Sequence, residues 1–160
     1  MAFRSINPAT GAINGEYAGM GGDEVSTILG LAEHAFQEWR KRSVSERAVP
    51  MRAAGRLLRE RARQYAPLMA EEMGKPVTEG VAECEKCALT CDYYADNAER
   101  FLAPEVVAAG ADRTRSFVAF QPLGVILAVM PWNFPFWQVV RFAAPTLMAG
   151  TLAECLRTAP

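Results

Sequence analysis

The sequence predicts an α/β fold, in which a helical amino-terminal portion precedes a βα unit built on a buried strand. The first indication is residues 124–130, a short and continuously apolar run that is typical of a parallel strand covered on both faces. The second is residues 23–101, where apolar residues recur with helical spacing. The third is residues 136–147, which follow the strand and are long enough to form the crossover helix of a βαβ unit.

Before the first helix, residues 3–18 contain short apolar pieces separated by turn signals. The turn signals are Asn7-Pro8, Thr10-Gly11 and Asn14-Gly15. They predict a small extended hairpin. Asp23 is then a suitable N-cap for an amphipathic helix that continues to Trp39. His34, the only histidine, lies among polar residues of that helix, so we expect a surface position rather than a catalytic role.

Proline and glycine positions predict where the following helices begin and end. Ser43 and Glu46 have the spacing of a capping box, which marks a helix start. Pro50 follows in the same helix, where it removes a backbone hydrogen bond at a cost of about 3 kcal/mol. We therefore expect this helix to start late or to kink. Pro67 is expected to start a separate short helix, and Gly74 to end it.

The next helix, expected over residues 77–101, carries three cysteines at positions i, i+3 and i+7, on one stripe. A metal or cluster site usually draws on loops and a fourth ligand, whereas the stripe of Cys84, Cys87 and Cys91 continues as an apolar face. We therefore interpret these thiols as core residues and expect no bound metal. Free thiols used as small hydrophobic groups favour a reducing compartment, so we expect a cytoplasmic protein.

Composition and charge argue against two classes of partner. A formal net charge of −1 provides no electrostatic attraction for nucleic acid. The arginines of residues 56–63 alternate with glutamate and apolar residues, as on a solvated helix face. The longest apolar stretch is well short of the roughly 18 to 20 residues that span a bilayer. We therefore expect neither a nucleic-acid partner nor a membrane segment.

The segment after the buried strand is Met130-Pro131-Trp132-Asn133-Phe134-Pro135. Each proline fixes its own φ and biases the preceding residue towards extended geometry. Asn133 is therefore held by a stiff backbone at the carboxyl end of a parallel strand, where open α/β sheets bind ligands. Its amide could donate a hydrogen bond to a developing oxyanion, or it could satisfy the backbone of a rigid turn. The spacing alone leaves both interpretations open.

Several stretches of the sequence resemble the aldehyde dehydrogenase superfamily and, within it, the succinate-semialdehyde dehydrogenase branch. The similarity extends from about residue 3 to Gly150, and a Pro-Trp-Asn-Phe-Pro run is highly specific. The other stretches are Ile6-Asn7-Pro8-Ala9-Thr10-Gly11, Glu72-Met73-Gly74-Lys75-Pro76, Gln121-Pro122-Leu123-Gly124-Val125 and residues 136–150. The resemblance implies that residues 1–160 form the N-terminal part of a Rossmann-like NAD(P)-binding domain, with residues 105–123 as an oligomerisation arm.

The same resemblance implies roles for individual residues. Asn133 would help to stabilise the oxyanion that forms from the aldehyde. Arg141 would bind the distal carboxylate of succinate semialdehyde, a task suited to the planar donors of a guanidinium; a surface arginine near the end of a helix is the alternative. The residues expected to line the cleft for NAD or NADP are Val129, Met130, Pro131 and Trp132.

In this family the nucleophilic cysteine, the glutamate base and the pyrophosphate loop lie past residue 160. None of the four cysteines here matches the nucleophile's motif. We therefore expect a truncated form that lacks the catalytic domain and is inactive alone. It would form homo-oligomers, or pair with a full-length aldehyde dehydrogenase as a non-catalytic partner. Residues 151–160 depart from the family pattern, and Glu154 is unfavourable in a buried strand, which argues against dinucleotide binding by this chain.

Overall fold

The computed structural model describes residues 2–107 and 116–157, with the backbone alone for residues 154–157. Helices occupy most of the first hundred residues, and a βαβ unit follows them. The elements in chain order are β1 (Ala2–Ile6), β2 (Ile13–Ala18), α1 (Gly22–Trp39), α2 (Val44–Glu60), α3 (Ala62–Met73), α4 (Val77–Phe101), β3 (Glu105–Val107), β4 (Ser116–Val118), β5 (Val125–Met130), α5 (Trp137–Met148) and β6 (Leu152–Arg157).

Within the described residues, the strands form three two-stranded sheets. Strands β1 and β2 form the expected amino-terminal hairpin, with a register irregularity between Ser5 and Ile6. Strands β3 and β4 pair antiparallel. Strand β5 pairs parallel with β6, from Val125 opposite Leu152 to Met130 opposite Arg157, and α5 connects the two strands. The α/β class is therefore confirmed, with a crossover helix as predicted.

Helix α4 lies at the centre of the helical portion, packed against α2, α3 and α5. Its cysteine stripe is buried, with Cys84 and Cys87 at 0% exposure, which confirms the core interpretation of these thiols. Small residues allow close helix packing, and Gly80 of α4 sits directly against Ala66 of α3. The apolar face ends before Phe101, which is 39% exposed. His34 is exposed, as predicted.

Helix α2 begins where its capping box places it, so of the two expected outcomes, a late start or a kink, the late start does not occur. The Ser43 N–H donates to the Glu46 carboxylate at 2.7 Å, and the Glu46 N–H donates to Ser43 Oγ at 3.2 Å. Pro50 lies inside the helix on the exposed side, where water can satisfy the carbonyl that loses its donor. The arginines of residues 56–63 are exposed, as predicted.

Two further helix starts differ from the prediction. Helix α3 begins at Ala62 and contains an exposed Pro67, because the break lies at Arg61, whose φ is −105° and ψ is 9°. Gly74 ends this helix with a left-handed φ of 75°, as predicted. The N-cap of helix α1 is Gly21, and Asp23 lies in the first turn. A carboxylate in that turn is stabilised by the positive end of the helix dipole.

The described residues cover strand β5 on one face only. Ala128 is 6% exposed, whereas Leu127 and Val129 on the opposite face are 58% and 59% exposed. Among the described residues, no helix has the length and apolar character needed to cross a bilayer. Residues 108–115 of the expected oligomerisation arm, and residues 158–160, lie outside the described residues.

Candidate active-site corner

The corner between β5 and α5 is the segment Pro131–Pro135, with four consecutive exposed residues from Pro131 to Phe134. The helical hydrogen-bond ladder starts at once: the Gln138 N–H donates to the Phe134 carbonyl at 3.0 Å, and the Val140 N–H donates to the Phe136 carbonyl at 2.9 Å. Asn133 therefore lies immediately before the first helical turn, with its side chain exposed.

No side chain of α5 or its own N-cap residue, Phe136, caps the amino end of the helix. Glu83 of α4 performs this role instead. Its Oε1 accepts hydrogen bonds from the Phe136 and Trp137 N–H groups, both at 2.9 Å. These are donors that a helix leaves unsatisfied in its first turn, and a carboxylate also interacts favourably with the positive end of the helix dipole.

The second oxygen of Glu83, Oε2, forms an ion pair with the Lys75 ammonium. Lys75 and Glu83 are 6% and 5% exposed, so this is a buried pair. Lys75 Nζ also donates a long hydrogen bond, 3.4 Å, to the Asn133 carbonyl and lies 3.9 Å from the centre of the Phe134 ring. The pair thus contacts the corner on both sides of Pro135.

Lys75 reaches the corner because the preceding residue turns the chain sharply. Gly74 has a left-handed φ of 75°, and a Cβ built on it would lie 3.3 Å from Pro8 Cγ. The hairpin is anchored at the same place, since Asn14 Nδ2 donates to the Glu71 carbonyl at 2.9 Å. Stretches of sequence that resemble the aldehyde dehydrogenases therefore meet in space.

The residues expected to line a dinucleotide cleft form a continuous strip at the carboxyl end of β5. Val129 and Pro131 are exposed, Trp132 is 37% exposed, and Met130 is partly buried. The strip is extended and apolar, and it includes an accessible indole. The strip lies at the strand edge where α/β sheets bind such ligands.

Arg141 lies on the outer side of α5 as the fifth residue of the helix, about 6 Å along the helix axis from Trp137. Its side chain is exposed and makes no hydrogen bond or ion pair with any described residue. The structure does not bring Arg141 into contact with the corner, but it leaves the guanidinium available to a ligand.

Sequence reasoning missed Lys75 and Glu83 as site residues. Lys75 was visible only as part of the stretch Glu72-Met73-Gly74-Lys75-Pro76. Glu83 did have a signal, because it lies four residues before Cys87 and one before Cys84, which places a carboxylate on the buried side of α4. A buried carboxylate requires a partner, and this requirement could have identified it.

A cavity of about 250 Å³ adjoins the corner on the α4 side. Two lysines flank it, and each lies over an aromatic ring. Lys86 Nζ is 3.8 Å from the centre of the Trp137 ring, and Lys75 Nζ is 3.9 Å from the centre of the Phe134 ring. Its other lining residues are Glu79, Ala82 and Glu83. The cavity therefore combines aromatic walls with charges of both signs.

The buried cysteines do not supply a nucleophile to this corner. Burial raises the pKa of Cys87 to about 12 and the pKa values of Cys84 and Cys91 to about 11, with the negative charge of a neighbouring carboxylate as the next cause in each case. The thiolate is the reactive form of cysteine, so these side chains are held in their unreactive state.

Comparison with known proteins agrees with the fold. The profile of the aldehyde dehydrogenase family matches residues 1–153. A probable NADP(+) succinate-semialdehyde dehydrogenase of Synechocystis is 51% identical over 152 residues, 95% of this chain and 33% of the relative. A succinate semialdehyde dehydrogenase of Escherichia coli is 40% identical over 146 residues, 91% of this chain and 31% of the relative.

Among solved structures, succinic semialdehyde dehydrogenase from Streptococcus pyogenes, in complex with NADP+, superposes with a TM-score of 0.91 at 32% identity. The match covers 98% of this chain and 34% of that one. The chain spans about a third of the length of the curated relatives it matches. With the family profile matching nearly its whole length, the chain belongs to the aldehyde dehydrogenase family.

Proposed function

We propose that this chain forms one side of the active site of an NAD(P)-dependent aldehyde dehydrogenase, whose substrate is succinate semialdehyde or a similar aldehyde with a distal carboxylate. The observation that carries the proposal is the corner itself. Asn133 is exposed at the carboxyl end of β5, on a backbone held by Lys75 and Glu83. Arg141 lies about one turn after the start of the helix that follows this corner.

In this proposal the side-chain amide of Asn133 donates a hydrogen bond to the oxygen of the reacting aldehyde as negative charge develops on it. A donor stabilises such charge most when it is already oriented, because no reorganisation is needed during the reaction. The buried contacts of Lys75 and Glu83 with the corner backbone supply that orientation. Removing one such donor typically lowers kcat by about 10²–10³.

Arg141 would recognise the far end of the substrate. A guanidinium offers a planar fork of donors that matches the two oxygens of a carboxylate. Because Arg141 has no competing acceptor among the described residues, a substrate carboxylate would not have to displace one. A charge-assisted hydrogen bond of this kind contributes roughly 1.5–3 kcal/mol.

The strip of residues 129–132 would bind the nicotinamide part of the dinucleotide. When bound, the dinucleotide accepts the hydride that leaves the aldehyde carbon. Val129 and Trp132 would provide apolar cover for its ring and ribose, and would help to exclude water from the reacting atoms. The Synechocystis relative is named as NADP(+)-dependent, which supports NADP.

The experiment is a chimaera in which this chain is joined to the remaining two thirds of the Synechocystis relative. Arg141→Ala should raise KM for succinate semialdehyde far more than for an uncharged aldehyde of similar length. Arg63→Ala, which removes an equally exposed arginine of α3, is the matched control and should change neither value. Equal effects of Arg141→Ala on both aldehydes would contradict the carboxylate role. The unfused chain, which we expect to be inactive, provides the baseline.

A second candidate is a non-catalytic partner of a full-length aldehyde dehydrogenase. The observation in its favour is the β3–β4 hairpin, which presents Val106 at 80% and Phe117 at 60% exposure. A short two-stranded hairpin is not stable by itself, and its apolar side chains would be covered by pairing with another chain. A cytoplasmic location stays a prediction, supported by the three free thiols of α4.

A further inference from the structure

We propose that Lys75 and Glu83 are positioning residues, which fix the peptide of Asn133 and the first turn of α5 as one unit. Neither residue is required to touch a substrate for this role. The inference rests on the proposed function only for the task of Asn133, since the positioning itself is a property of this chain.

The first argument is that both oxygens of Glu83 are used. Oε1 accepts from the Phe136 and Trp137 N–H groups, both at 2.9 Å, and Oε2 forms the ion pair with Lys75. A carboxylate with three donors in a buried position has little freedom to rotate. The start of α5 is therefore tied to α4 by hydrogen bonds with fixed directions.

The second argument is that Lys75 acts on the other side of the corner. Its ammonium donates to the Asn133 carbonyl at 3.4 Å and lies against the Phe134 ring at 3.9 Å. The orientation of the Asn133 peptide determines the direction in which its side chain leaves the backbone. Lys75 and Glu83 therefore hold the backbone before and after Pro135, and the first of these two fixed points is the Asn133 peptide itself.

The third argument concerns burial. A buried ion pair is often replaceable by apolar residues without loss of stability, whereas removing one partner leaves an uncompensated charge. A pair that relies on hydrogen bonds to the corner backbone to replace its lost hydration stays buried only while that backbone keeps its position. Here three of its hydrogen bonds go to that backbone, which points to orientation of the corner as its role.

The test uses the 160-residue chain with isotope labels at asparagine and at the backbone amides, observed by NMR. Glu83→Gln keeps the side-chain volume and removes the charge, and Lys75→Met removes the ammonium. A swap variant, Lys75→Glu with Glu83→Lys, restores opposite charges but offers no acceptor to the α5 amides. The matched control is Asp92→Asn, which breaks the more exposed ion pair of α4 with Arg59.

Both single variants should move the Asn133 carbonyl and side-chain amide signals, and should raise hydrogen exchange of the Phe136 and Trp137 amides by about tenfold or more. The swap should not recover that exchange protection, because a lysine at position 83 cannot accept from the α5 amides, and Asp92→Asn should leave all these signals in place. If Lys75→Met does not fold, the double variant Lys75→Met with Glu83→Gln, which buries no charge, should show the same shifted Asn133 signals.

Unchanged Asn133 signals in the single variants would overturn the proposal. A swap that restores both stability and amide protection would also overturn it. Either result would mean that the pair links α4 to the corner without orienting the Asn133 peptide. These measurements need no turnover. An inactive chimaera with shifted Asn133 signals would count against the proposed function alone. If the chimaera is active and depends on Asn133, but the Asn133 signals do not change in Lys75→Met or Glu83→Gln, the result would count against the positioning role alone.

Discussion

At the scale of single residues, the three thiols of α4 show how burial decides reactivity. We expect them to be inert in the folded chain, because burial raises their pKa values to about 11 or 12. In a Cys155→Ser background, which removes the remaining cysteine, a thiol reagent should label none of them at neutral pH and all of them after denaturation. Rapid labelling of the folded chain would contradict this burial.

The same pKa shifts predict how the stability of the folded chain changes with pH. The pKa of each thiol is higher in the folded chain than the ordinary value of 9.0, so the unfolded chain loses these protons first. The buried thiols therefore make their full contribution to folding stability below about pH 9, and this contribution is lost as the pH rises to about 12. Replacing Cys87 by alanine should make this alkaline loss of stability shallower in denaturant titrations.

Residue-level prediction from sequence succeeded where a pattern was local. The thiols of α4 are buried and His34 is exposed, as their positions on the helical faces predict. The two prolines around Asn133 indicated a rigid corner. Lys75 and Glu83 were missed because their pairing depends on how α3 and α4 approach each other across the break at Gly74. Spacing along the chain carries no information about that approach.

At the scale of secondary-structure elements, α3 and α4 pack tightly against each other at Gly80. A Cβ added to Gly80 would lie 2.9 Å from Ala66 Cβ, so Gly80→Ala should destabilise the chain by roughly 1–3 kcal/mol through overpacking. Gly30→Ala is the matched control in the middle of α1, where nothing lies within 4 Å. It should stabilise by roughly 0.5–1 kcal/mol, the usual gain for alanine over glycine in a helix.

Urea unfolding of the two variants checks this prediction, since a change in midpoint at constant slope reports stability. A Gly80→Ala variant as stable as Gly30→Ala would mean that α3 and α4 are further apart than described. The elements themselves were largely predictable, with α4 and the crossover helix in place. The starts of the helices were less predictable, because Pro50 and Pro67 lie on exposed sides of their helices, where the loss of a backbone hydrogen bond is tolerated.

At the scale of the whole molecule, we expect the β3–β4 hairpin to mediate association. Substituting Val106 and Phe117 by lysine would place charges on its two most exposed apolar side chains and should shift sedimentation towards the monomer. Val49→Lys replaces a comparably exposed valine on α2, at 67% exposure, and should not. Association that persists in the double variant would assign the contact to another surface, such as the bare face of β5.

The fold class was predictable from the apolar run of β5 and the helical spacing before it. What the sequence could not predict is that the amino-terminal hairpin, the end of α3 and the corner lie next to one another, through Pro8, Gly74 and Lys75. Tertiary packing creates this arrangement, and it connects the hairpin to the candidate site. The apolar composition of β5 predicts that the strand is covered but does not say which element covers it, and the described residues cover one face only.

The central claim is that Asn133 is an oriented hydrogen-bond donor in aldehyde oxidation, and kcat of the Asn133→Ala chimaera tests it most directly. With succinate semialdehyde and NADP as substrates, the account predicts a fall in kcat of about 10²–10³, with KM for NADP little changed. Asn97→Ala, which removes an asparagine side chain bonded only within α4, should keep kcat near that of the parent chimaera. A kcat for Asn133→Ala equal to that of Asn97→Ala would contradict the account.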